Sequence, residues 1–371
     1  MNSDFLDDKL QGRFHRNAYR RLQLAEGKHD FFSNDYLGIV RNGLIEASLE
    51  GHAYAHGSTG SRLLAGNYPL IEETENLIAE FHESPAALIF NSGYDANLGL
   101  LACVAERGDT ILYDTLSHAS IRDGVRLSLA NALSFLHNDP EDLKKKLQLK
   151  KGNCFVVTES VFSMDGDQAP LKEIVALCEQ YDAHLIVDEA HATGVIGESG
   201  EGLMQKEGLH RNCFARIHTF GKALGCHGAA VLGSMVLRNY LINFSRPFIY
   251  TTSLPPAAVA AIKAAYEIFP ELHAERRQLN ELIAFFQKNQ SVQTASGKVL
   301  NFKNSATPIQ CLLIPGNENV KAVSNHLAEW HVDIRPILYP TVPEGEERLR
   351  IALHSFNSLA EVQDLMAGLC H

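Results

Sequence analysis

The sequence predicts an α/β protein with a mostly parallel central sheet in a large domain and a smaller α+β C-terminal domain. Two observations lead to this prediction. Short apolar runs alternate with longer segments of helical periodicity, and a polar cluster follows almost every apolar run. Runs that are apolar throughout are typical of strands buried on both faces, as in a parallel sheet covered by helices.

The predicted strands of the large domain are short apolar runs, each of which ends at polar residues. They are ALIF (87–90), TILY (110–113), CFVVT (154–158), HLIVD (184–188), RIHTF (216–220) and AAVLGS (229–234). Between them lie helical segments such as PLKEIVALCEQYDA, in which Leu171, Ile174 and Val175 share one face. This alternation indicates βαβ units.

A long helical stretch, residues 257–289, follows Pro255 and Pro256 and is expected to lead into the C-terminal domain. Beyond it, PIQCLLI and RLRIAL predict strands, and NVKAVSNHLAEWH predicts a helix. We therefore expect an N-terminal segment at 1–40, a large domain at 41–265 and a small domain at 266–371.

Composition argues against several classes of partner. The formal net charge of the 371 residues is -11 without a clustered basic block, which argues against a nucleic-acid surface. No apolar run approaches the roughly 18 residues of a membrane span, and the acidic start MNSDFLDDKLQGRF lacks a signal-peptide core. The seven cysteines stand singly, which predicts reduced thiols. We expect a cytoplasmic protein with no nucleic-acid and no membrane partner.

The polar residues after the predicted strands are expected to meet in one crevice, because ligands of open α/β sheets bind beyond the carboxyl ends of the strands. They are Asn91–Tyr94, Ser117, His118, Ser163, Asp188, His191, Thr219 and Lys222. Each of them alone is also compatible with an ordinary loop position. Their shared placement is what favours a site.

Three chemistries lack the residues that they need. The DEAH string at 188–191 also occurs in helicase motors, but the phosphate-binding pattern G-x-x-x-x-G-K-[ST] is absent. The 17 histidines include neither HExxH nor a Cys/His cluster with metal-ligand spacing, so no metal is expected. The G-x-S-x-G turn of a serine hydrolase is missing as well.

Pyridoxal phosphate requires four things that this sequence contains. Lys222, after a strand, is placed to form a Schiff base, and Asp188 can pair with the ring nitrogen and keep it protonated. Gly93–Tyr94 open a predicted helix, and together with the Thr219 hydroxyl they suit a phosphate. His118 can lie over the ring. Singly, Asp188 would also suit a helix cap, and Lys222 a solvated loop.

Nine motifs stand in the order found in the α-oxoamine synthases, which are fold-type I pyridoxal phosphate enzymes. The motifs are SNDYLG (33–38), GSTGSRLLAGN (57–67), NSGYDAN (91–97), SHAS (117–120), ESVFSMDGD (159–167), DEAHATG (188–194), TFGKALG (219–225), PFIYTTSLPP (247–256) and PTVPEGEERLRI (340–351). The chain thus resembles this family from residue 33 to about residue 355. The resemblance implies a fold-type I transferase fold, pyridoxal phosphate as cofactor, acyltransferase activity and a homodimer with a shared active site.

Within the family the chain is most similar to the biotin-pathway branch, because GSTGSRLLAGN and PTVP are typical of it. That branch condenses L-alanine with a pimeloyl thioester, carried on CoA or acyl carrier protein, and releases carbon dioxide. A sister synthase that uses glycine or serine with another acyl-CoA, such as 2-amino-3-ketobutyrate CoA ligase, is the alternative. A third hypothesis is an inactive scaffold on the same fold.

The resemblance implies a role for each residue that matches a motif around the cofactor. Lys222 would carry the cofactor and then act as the base, and Asp188 would pair with the ring nitrogen. His118 would stack on the ring and help to polarise the thioester carbonyl. His191 and Ser163 would lie near the phenolic oxygen of the ring.

Further roles follow from the same resemblance for the phosphate and the substrates. Gly93, Tyr94 and Thr219 would bind the phosphate. Arg350 would bind the amino-acid carboxylate with its planar guanidinium, Thr341 would contact substrate, and Arg20 would meet the acyl substrate.

The resemblance also extends to the subunit interface, and it has three departures. One is the short segment before SNDYLG, where the usual leading hairpin is reduced to EGKHDFF, which bears on binding of the acyl substrate. Residues near Thr251–Ser253 would reach the cofactor of the partner subunit. DEAHATG replaces the more usual D-D-A-H, and Cys226–His227 replace a small residue or serine.

Overall fold

A computed structural model describes residues 3–25, 27–290 and 299–370 of the chain. The described residues form two compact units. The large unit comprises Leu37–Ser163 and Gln168–Ala274, and the small unit takes the described residues of 1–36, 164–167 and 275–371. The units are therefore assembled from separate stretches of chain, whereas the domains expected from the sequence are contiguous.

The helices and strands are numbered along the chain. The α-helices are α1 Asp4–His15, α2 Leu44–Ser48, α3 Pro69–Phe81, α4 Gly93–Val104, α5 Ala119–Leu127, α6 Pro140–Leu147, α7 Leu171–Gln180, α8 Leu203–Lys206, α9 Met235–Phe244, α10 Arg246–Ile249, α11 Pro256–Ile268, α12 His273–Lys288, α13 Asn317–Glu329 and α14 Leu359–Cys370. The strands are β1 His29–Asp30, β2 Ala86–Phe90, β3 Thr110–Asp114, β4 Asn131–Phe135, β5 Cys154–Glu159, β6 His184–Asp188, β7 Ala215–Thr219, β8 Ala229–Gly233, β9 Asn301–Phe302, β10 Ile309–Leu313, β11 Val332–Asp333, β12 Arg335–Ile337 and β13 Arg348–Ala352.

Within its described residues, the large unit is built on a seven-stranded sheet of order β2-β8-β7-β6-β5-β3-β4. Only β8 is reversed: it pairs antiparallel with both β2 and β7, and the other neighbours are parallel. The side chains of β2 and β5 are buried throughout, because helices cover the sheet. The predicted α/β class with a mostly parallel sheet is confirmed.

The core between the sheet and α4 explains why the strands are apolar runs. Leu88, Val157 and Ile217 from three strands pack in one cluster with Leu100 and Leu101 of α4, and all are essentially inaccessible to solvent. Each such side chain contributes about 1.5–3 kcal/mol when it is fully removed from water. This core holds the loops beyond the strand ends in fixed positions.

The structure corrects two expectations about the elements of the large unit. Strand β4, with sequence NALSF, was missed because it is an edge strand whose side chains are mainly exposed, so that it shows no apolar run. The long helical stretch 257–289 is two helices, α11 and α12, with a 3₁₀ helix Phe269–Glu271 between them. Pro270 causes the break, because it has no N–H to donate to the helix.

Among its described residues, the small unit contains a four-stranded antiparallel sheet of order β12-β13-β10-β9 and a separate parallel pair of β1 with β11. The predicted strands PIQCLLI and RLRIAL are β10 and β13, which pair with each other, and the predicted helix is α13. None of the described helices has both the length and the apolar character that crossing a bilayer requires.

The motif ESVFSMDGD crosses from the large unit to the small unit after Ser163. In the small unit, Asp165 forms a buried ion pair with Arg348. The carbonyl oxygen of Gly166 accepts hydrogen bonds from the hydroxyls of Ser305 and Thr307, both at 2.9 Å. Gly166 has a φ of 75°, and a Cβ there would lie 2.1 Å from the Ile309 carbonyl oxygen. Glycine is therefore required at this position.

We expect Gly166→Ala to lower the free energy of unfolding by about 3 kcal/mol, because left-handed backbone strain and overpacking add. The matched control is Gly345→Ala, also in the small unit, where φ is 84° and no atom lies within 4 Å of an added Cβ. The control should cost only about 1 kcal/mol. Urea midpoints of both variants measure the difference, and equal midpoints would contradict the role given to Gly166.

Candidate active site

A pocket of about 220 Å³ opens where the parallel strands of the large unit end. Strands β3, β5, β6 and β7 run in the same direction, so the residues that follow them meet at one edge. Seven of the predicted cofactor residues line it: Gly93, Tyr94, His118, Ser163, Asp188, Thr219 and Lys222. The eighth, His191, contacts one of the seven. The structure thus brings the predicted cofactor set together.

Lys222 lies in the nine-residue connection, 220–228, between the antiparallel strands β7 and β8. The Phe220 N–H donates to the Gly228 carbonyl at 2.9 Å, and the Gly225 N–H donates to the Lys222 carbonyl at 2.9 Å. The Lys222 Nζ is 2.7 Å from the His191 Nε2. The reversal of β8 therefore presents the amine at the edge of the parallel sheet, against an imidazole.

Asp188 ends β6 with a carboxylate that is only 5% exposed. Its Oδ2 accepts from the Asn97 amide at 2.7 Å, and its Oδ1 accepts from the Ala190 N–H at 2.9 Å. A buried carboxylate is costly unless it is hydrogen-bonded, and these two donors satisfy it as an anion. Asp188 is thus an oriented negative charge at the wall of the pocket.

The N-terminus of α4 and Thr219 form a cradle for an anion. N–H groups in the first turn of a helix have no partner inside that helix, and they attract negative charge. A Cβ at Gly93 would lie 2.4 Å from the Thr219 Cγ2, so only glycine allows this approach. Among the described residues, the buried Thr219 Oγ1 has no hydrogen-bond partner. The Tyr94 hydroxyl is bonded to Asp123, which leaves its backbone for an anion.

His118 is the N-cap residue of α5, and its side chain lines the pocket. Its Nδ1 is 2.8 Å from the Ser120 hydroxyl, and its backbone N–H donates to the Glu159 Oε1 at 2.7 Å. Loss of solvation in the pocket lowers the pKa of His118, against the opposing effect of the Asp188 charge. The ring is therefore a neutral, fixed, flat surface near neutral pH.

The lining of the pocket also includes Asn97, Ser120 and Glu159, which were not predicted as site residues. Asn97 is four residues after Gly93 and hence on the same helix face, which is a signal that the sequence contains. Glu159 follows an apolar run directly, as Asp188 ends one. Its burial, at 3% exposure, was not visible in the sequence.

The second acidic residue of DEAHATG has a structural role. Glu189 is fully buried, and its Oε1 accepts the backbone N–H groups of Leu203 and Met204 at 2.9 and 3.1 Å. The Thr193 hydroxyl donates to the Glu189 carbonyl at 2.7 Å. The departure from the usual D-D-A-H thus provides a cap for α8 and holds the loop that contains His191.

Cys226–His227 also departs from the family pattern, and these two side chains lie in different surroundings. The Cys226 thiol donates to the carbonyls of Leu224 and Ala261, both at 3.3 Å, and burial raises its pKa to about 12. Cys226 is therefore a packed, unreactive thiol. His227 is exposed and lines the pocket.

The predicted substrate residues lie in the small unit. Arg350, on β13, is 8% exposed, and its Nη2 donates to the Asn34 Oδ1 at 3.0 Å and to the Tyr36 hydroxyl at 3.1 Å. Burial raises the pKa of Tyr36, so the hydroxyl stays neutral. Arg20 donates to the Thr341 Oγ1 at 2.8 Å across 321 positions of sequence. Asn34 and Tyr36, in SNDYLG, were not predicted as site residues.

The pocket fits pyridoxal phosphate on these observations. It offers an amine at Lys222, a buried anion at Asp188, a phosphate cradle at Gly93 and Thr219, and a flat ring at His118. Within the described residues, no group of three or more His, Cys, Asp or Glu side chains is arranged to hold a metal ion.

The chain is similar to known proteins over nearly its whole length. An 8-amino-7-oxononanoate synthase from Emericella nidulans is 39% identical over 98% of this chain and 94% of its own. A serine palmitoyltransferase from S. paucimobilis, solved with a bound pyridoxal phosphate–myriocin aldimine, has a TM-score of 0.86 at 27% identity and covers 98% of this chain and 96% of its own. An 8-amino-7-oxononanoate synthase structure from Francisella tularensis has a TM-score of 0.77 at 27% identity, covering 93% and 98%.

These similarities confirm the predicted fold-type I architecture, pyridoxal phosphate as the cofactor, and a pyridoxal phosphate-dependent acyltransferase as the class of enzyme. The sequence model of the aminotransferase class I and II family matches residues 26–367. The chain therefore belongs to the aminotransferase class I and II family and, within it, to the α-oxoamine synthases that its motifs indicated.

Proposed function

We propose that this chain makes 8-amino-7-oxononanoate for biotin synthesis, by joining L-alanine to a pimeloyl thioester with loss of carbon dioxide. The observation that carries the proposal is the convergence of Lys222, Asp188, His118 and Thr219 in one pocket. Relatives with that name at 39% identity support the choice of substrates. The carrier of the pimeloyl group is CoA or acyl carrier protein.

Each cofactor residue has a proposed task that its contacts support. Pyridoxal phosphate, when bound, supplies an electron sink for negative charge at the α-carbon of the amino acid. Lys222 would hold the group covalently, and Asp188 would hold a proton at the ring nitrogen. The α4 N-terminus with Thr219 would bind the phosphate, and His118 would cover the ring. His191 and Ser163 would contact the phenolic oxygen.

Proton transfer at the α-carbon is proposed for Lys222. Its amine would remove the α-proton of L-alanine, and the 2.7 Å contact with His191 would hold the amine in place. The new bond would join the α-carbon to the thioester carbonyl carbon while the carbonyl–sulfur bond breaks. The sulfur would leave as a thiolate, which takes a proton from solvent. The alanine carboxylate departs as carbon dioxide, and Lys222 would return a proton to the α-carbon.

Arg350 is proposed to hold the alanine carboxylate until it is lost. A guanidinium binds a carboxylate through two parallel hydrogen bonds, and Asn34 and Tyr36 fix its plane. Arg20 and Thr341, which are bonded to each other, are proposed to meet the acyl substrate.

A sister synthase that uses glycine or serine with another acyl-CoA is the second candidate. It is favoured by the serine palmitoyltransferase structures, whose TM-score of 0.86 exceeds the 0.77 of the 8-amino-7-oxononanoate synthase structure. Both candidates need the same cofactor residues, so only the substrates separate them.

We further propose that the chain acts as a cytoplasmic homodimer with a shared active site. The segment around Thr251–Ser253 is tied to GSTGSRLLAGN: the Ser253 N–H donates to the Gly60 carbonyl at 2.9 Å. In the same two stretches of sequence, Leu64 is 83% exposed and Tyr250 is 73% exposed. Large apolar side chains exposed together are typical of an interface between subunits.

Substrate choice tests the proposed function directly. With pimeloyl-CoA and pimeloyl-acyl carrier protein in turn, we expect L-alanine to give 8-amino-7-oxononanoate, detected by mass spectrometry. Its kcat/KM should exceed those for glycine and L-serine by about 10-fold or more, the range that one methyl or hydroxyl group decides in a pocket. A preference for glycine or L-serine would move the chain to the sister activity.

Lys222→Ala should lower kcat by about 10³-fold or more, because the base and the covalent attachment are lost together. The visible absorption of the protein-bound cofactor should also change to that of unattached pyridoxal phosphate. Lys172→Ala, at a 70%-exposed side chain on α7, is the control and should behave as wild type. Normal turnover in Lys222→Ala would overturn the assignment.

Leu64→Glu should weaken the dimer, since a charge would enter the proposed interface. Sedimentation velocity should show a shift toward monomer and a parallel loss of activity. Leu149→Glu, at another 63%-exposed leucine, is the matched control and should remain dimeric. A wild-type protein that sediments as a monomer with full activity would contradict the shared site.

A further inference from the structure

Glu159 and Asp188 are two carboxyl groups on adjacent parallel strands. They are paired in register between β5 and β6, so both side chains lie on the same face of the sheet, and both line the pocket. Neighbouring strands are about 4.8 Å apart. Both carboxyl groups therefore face the same buried pocket, and ionisation of the second is opposed by the charge of the first and by desolvation.

The hydrogen bonds decide which carboxyl group is the anion. Asp188 accepts from the Asn97 amide and from the Ala190 N–H, at 2.7 and 2.9 Å. The only hydrogen bond seen to the Glu159 carboxyl group within the described residues comes from the His118 N–H, at 2.7 Å. Two protein donors therefore stabilise the Asp188 carboxylate as an anion. Glu159, whose carboxyl group has one donor, is the group that keeps a proton. Different surroundings separate the acidities of a carboxyl pair in this way.

We propose that Glu159 is a positioning residue: as a neutral carboxylic acid beside the Asp188 anion, it anchors the backbone N–H of His118 and so holds the imidazole at the face of the cofactor. A neutral acid accepts this hydrogen bond without adding a second negative charge to the pocket. The proton at the cofactor ring nitrogen then has Asp188 as its single anionic partner. The inference rests on the roles proposed above for Asp188 and His118.

The charges around Glu159 set the pH at which this arrangement ends. Burial, and then the charge of Asp188, raise the pKa of Glu159 to about 8, while Lys222 and the His118 N–H oppose the shift and Asp114 on β3 adds to it. Below that pH the carboxyl group is neutral, and above it the group becomes an anion. Ionisation would place a second negative charge beside the cofactor and would favour a charged His118.

The test compares Glu159→Gln with Glu159→Ala in the cofactor-loaded protein. Glutamine keeps a neutral acceptor for the His118 N–H at every pH, whereas alanine removes it. We expect Glu159→Ala to lower kcat by about 10- to 100-fold, as the misplacement of one catalytic group does. Glu159→Gln should recover most of that loss at neutral pH.

The spectral readout is the visible absorption of the bound cofactor, titrated from pH 6 to about pH 9.5 without substrate, a range that spans the expected transition. The wild-type band should change through about pH 8, and Glu159→Gln should lack that component. Asp188→Asn serves as the reference for loss of the ring-nitrogen partner, and its band should be altered at every pH. Failure of glutamine to rescue alanine, or an unchanged titration in Glu159→Gln, would overturn the inference.

The outcome is separable from that of the proposed function. A protein whose cofactor band behaves as described, yet which condenses glycine or L-serine instead of L-alanine, would remove the proposed function and leave the role of Glu159 standing. If the protein condenses L-alanine but the cofactor band titrates identically in wild type and Glu159→Gln, the proposed function stands and the role of Glu159 is overturned.

Discussion

The common direction of β3, β5, β6 and β7 is the constraint on which the site depends. Parallel strands bring their carboxyl ends to one edge, so residues more than a hundred positions apart, such as His118 and Lys222, share a pocket. The reversed strand β8 completes the arrangement, because the connection from β7 back to β8 places Lys222 at that edge. The buried apolar core beneath keeps these loops in place.

Local hydrogen bonds determine what each acidic side chain in and near the pocket does. Asp188 is stabilised as an anion by an amide from α4 and by a backbone N–H of its own loop. The carboxyl group of Glu159, one strand away, receives a single bond from the described residues, and Glu159 is buried to a similar degree. The neighbouring Glu189, in the same loop as Asp188, serves to cap a short helix. Three acidic residues within two strand ends thus have three different tasks, set by their donors.

Particular residues show how far the sequence could predict the site. Asp188, Thr219 and Lys222 follow or end apolar runs, so their position was predictable from strand periodicity and from the family motifs. Asn97 was predictable in principle from its spacing of four from Gly93. The neutral state of Glu159 was not, because it arises from burial and from the charge of a strand that is adjacent only in the folded sheet. Strand β4 was missed for the related reason that an exposed edge strand has no apolar run.

The sequence by itself determined the α/β class, the order of most strands, the cofactor and the family, since periodicity and ordered motifs are local properties of the chain. Tertiary structure alone decided which side chains meet. It paired Arg20 with Thr341 and Arg350 with Asn34, divided ESVFSMDGD between two units, and placed Glu159 in register with Asp188. The physical reason is that contact, burial and charge coupling depend on distances in space, which residue spacing along the chain does not contain.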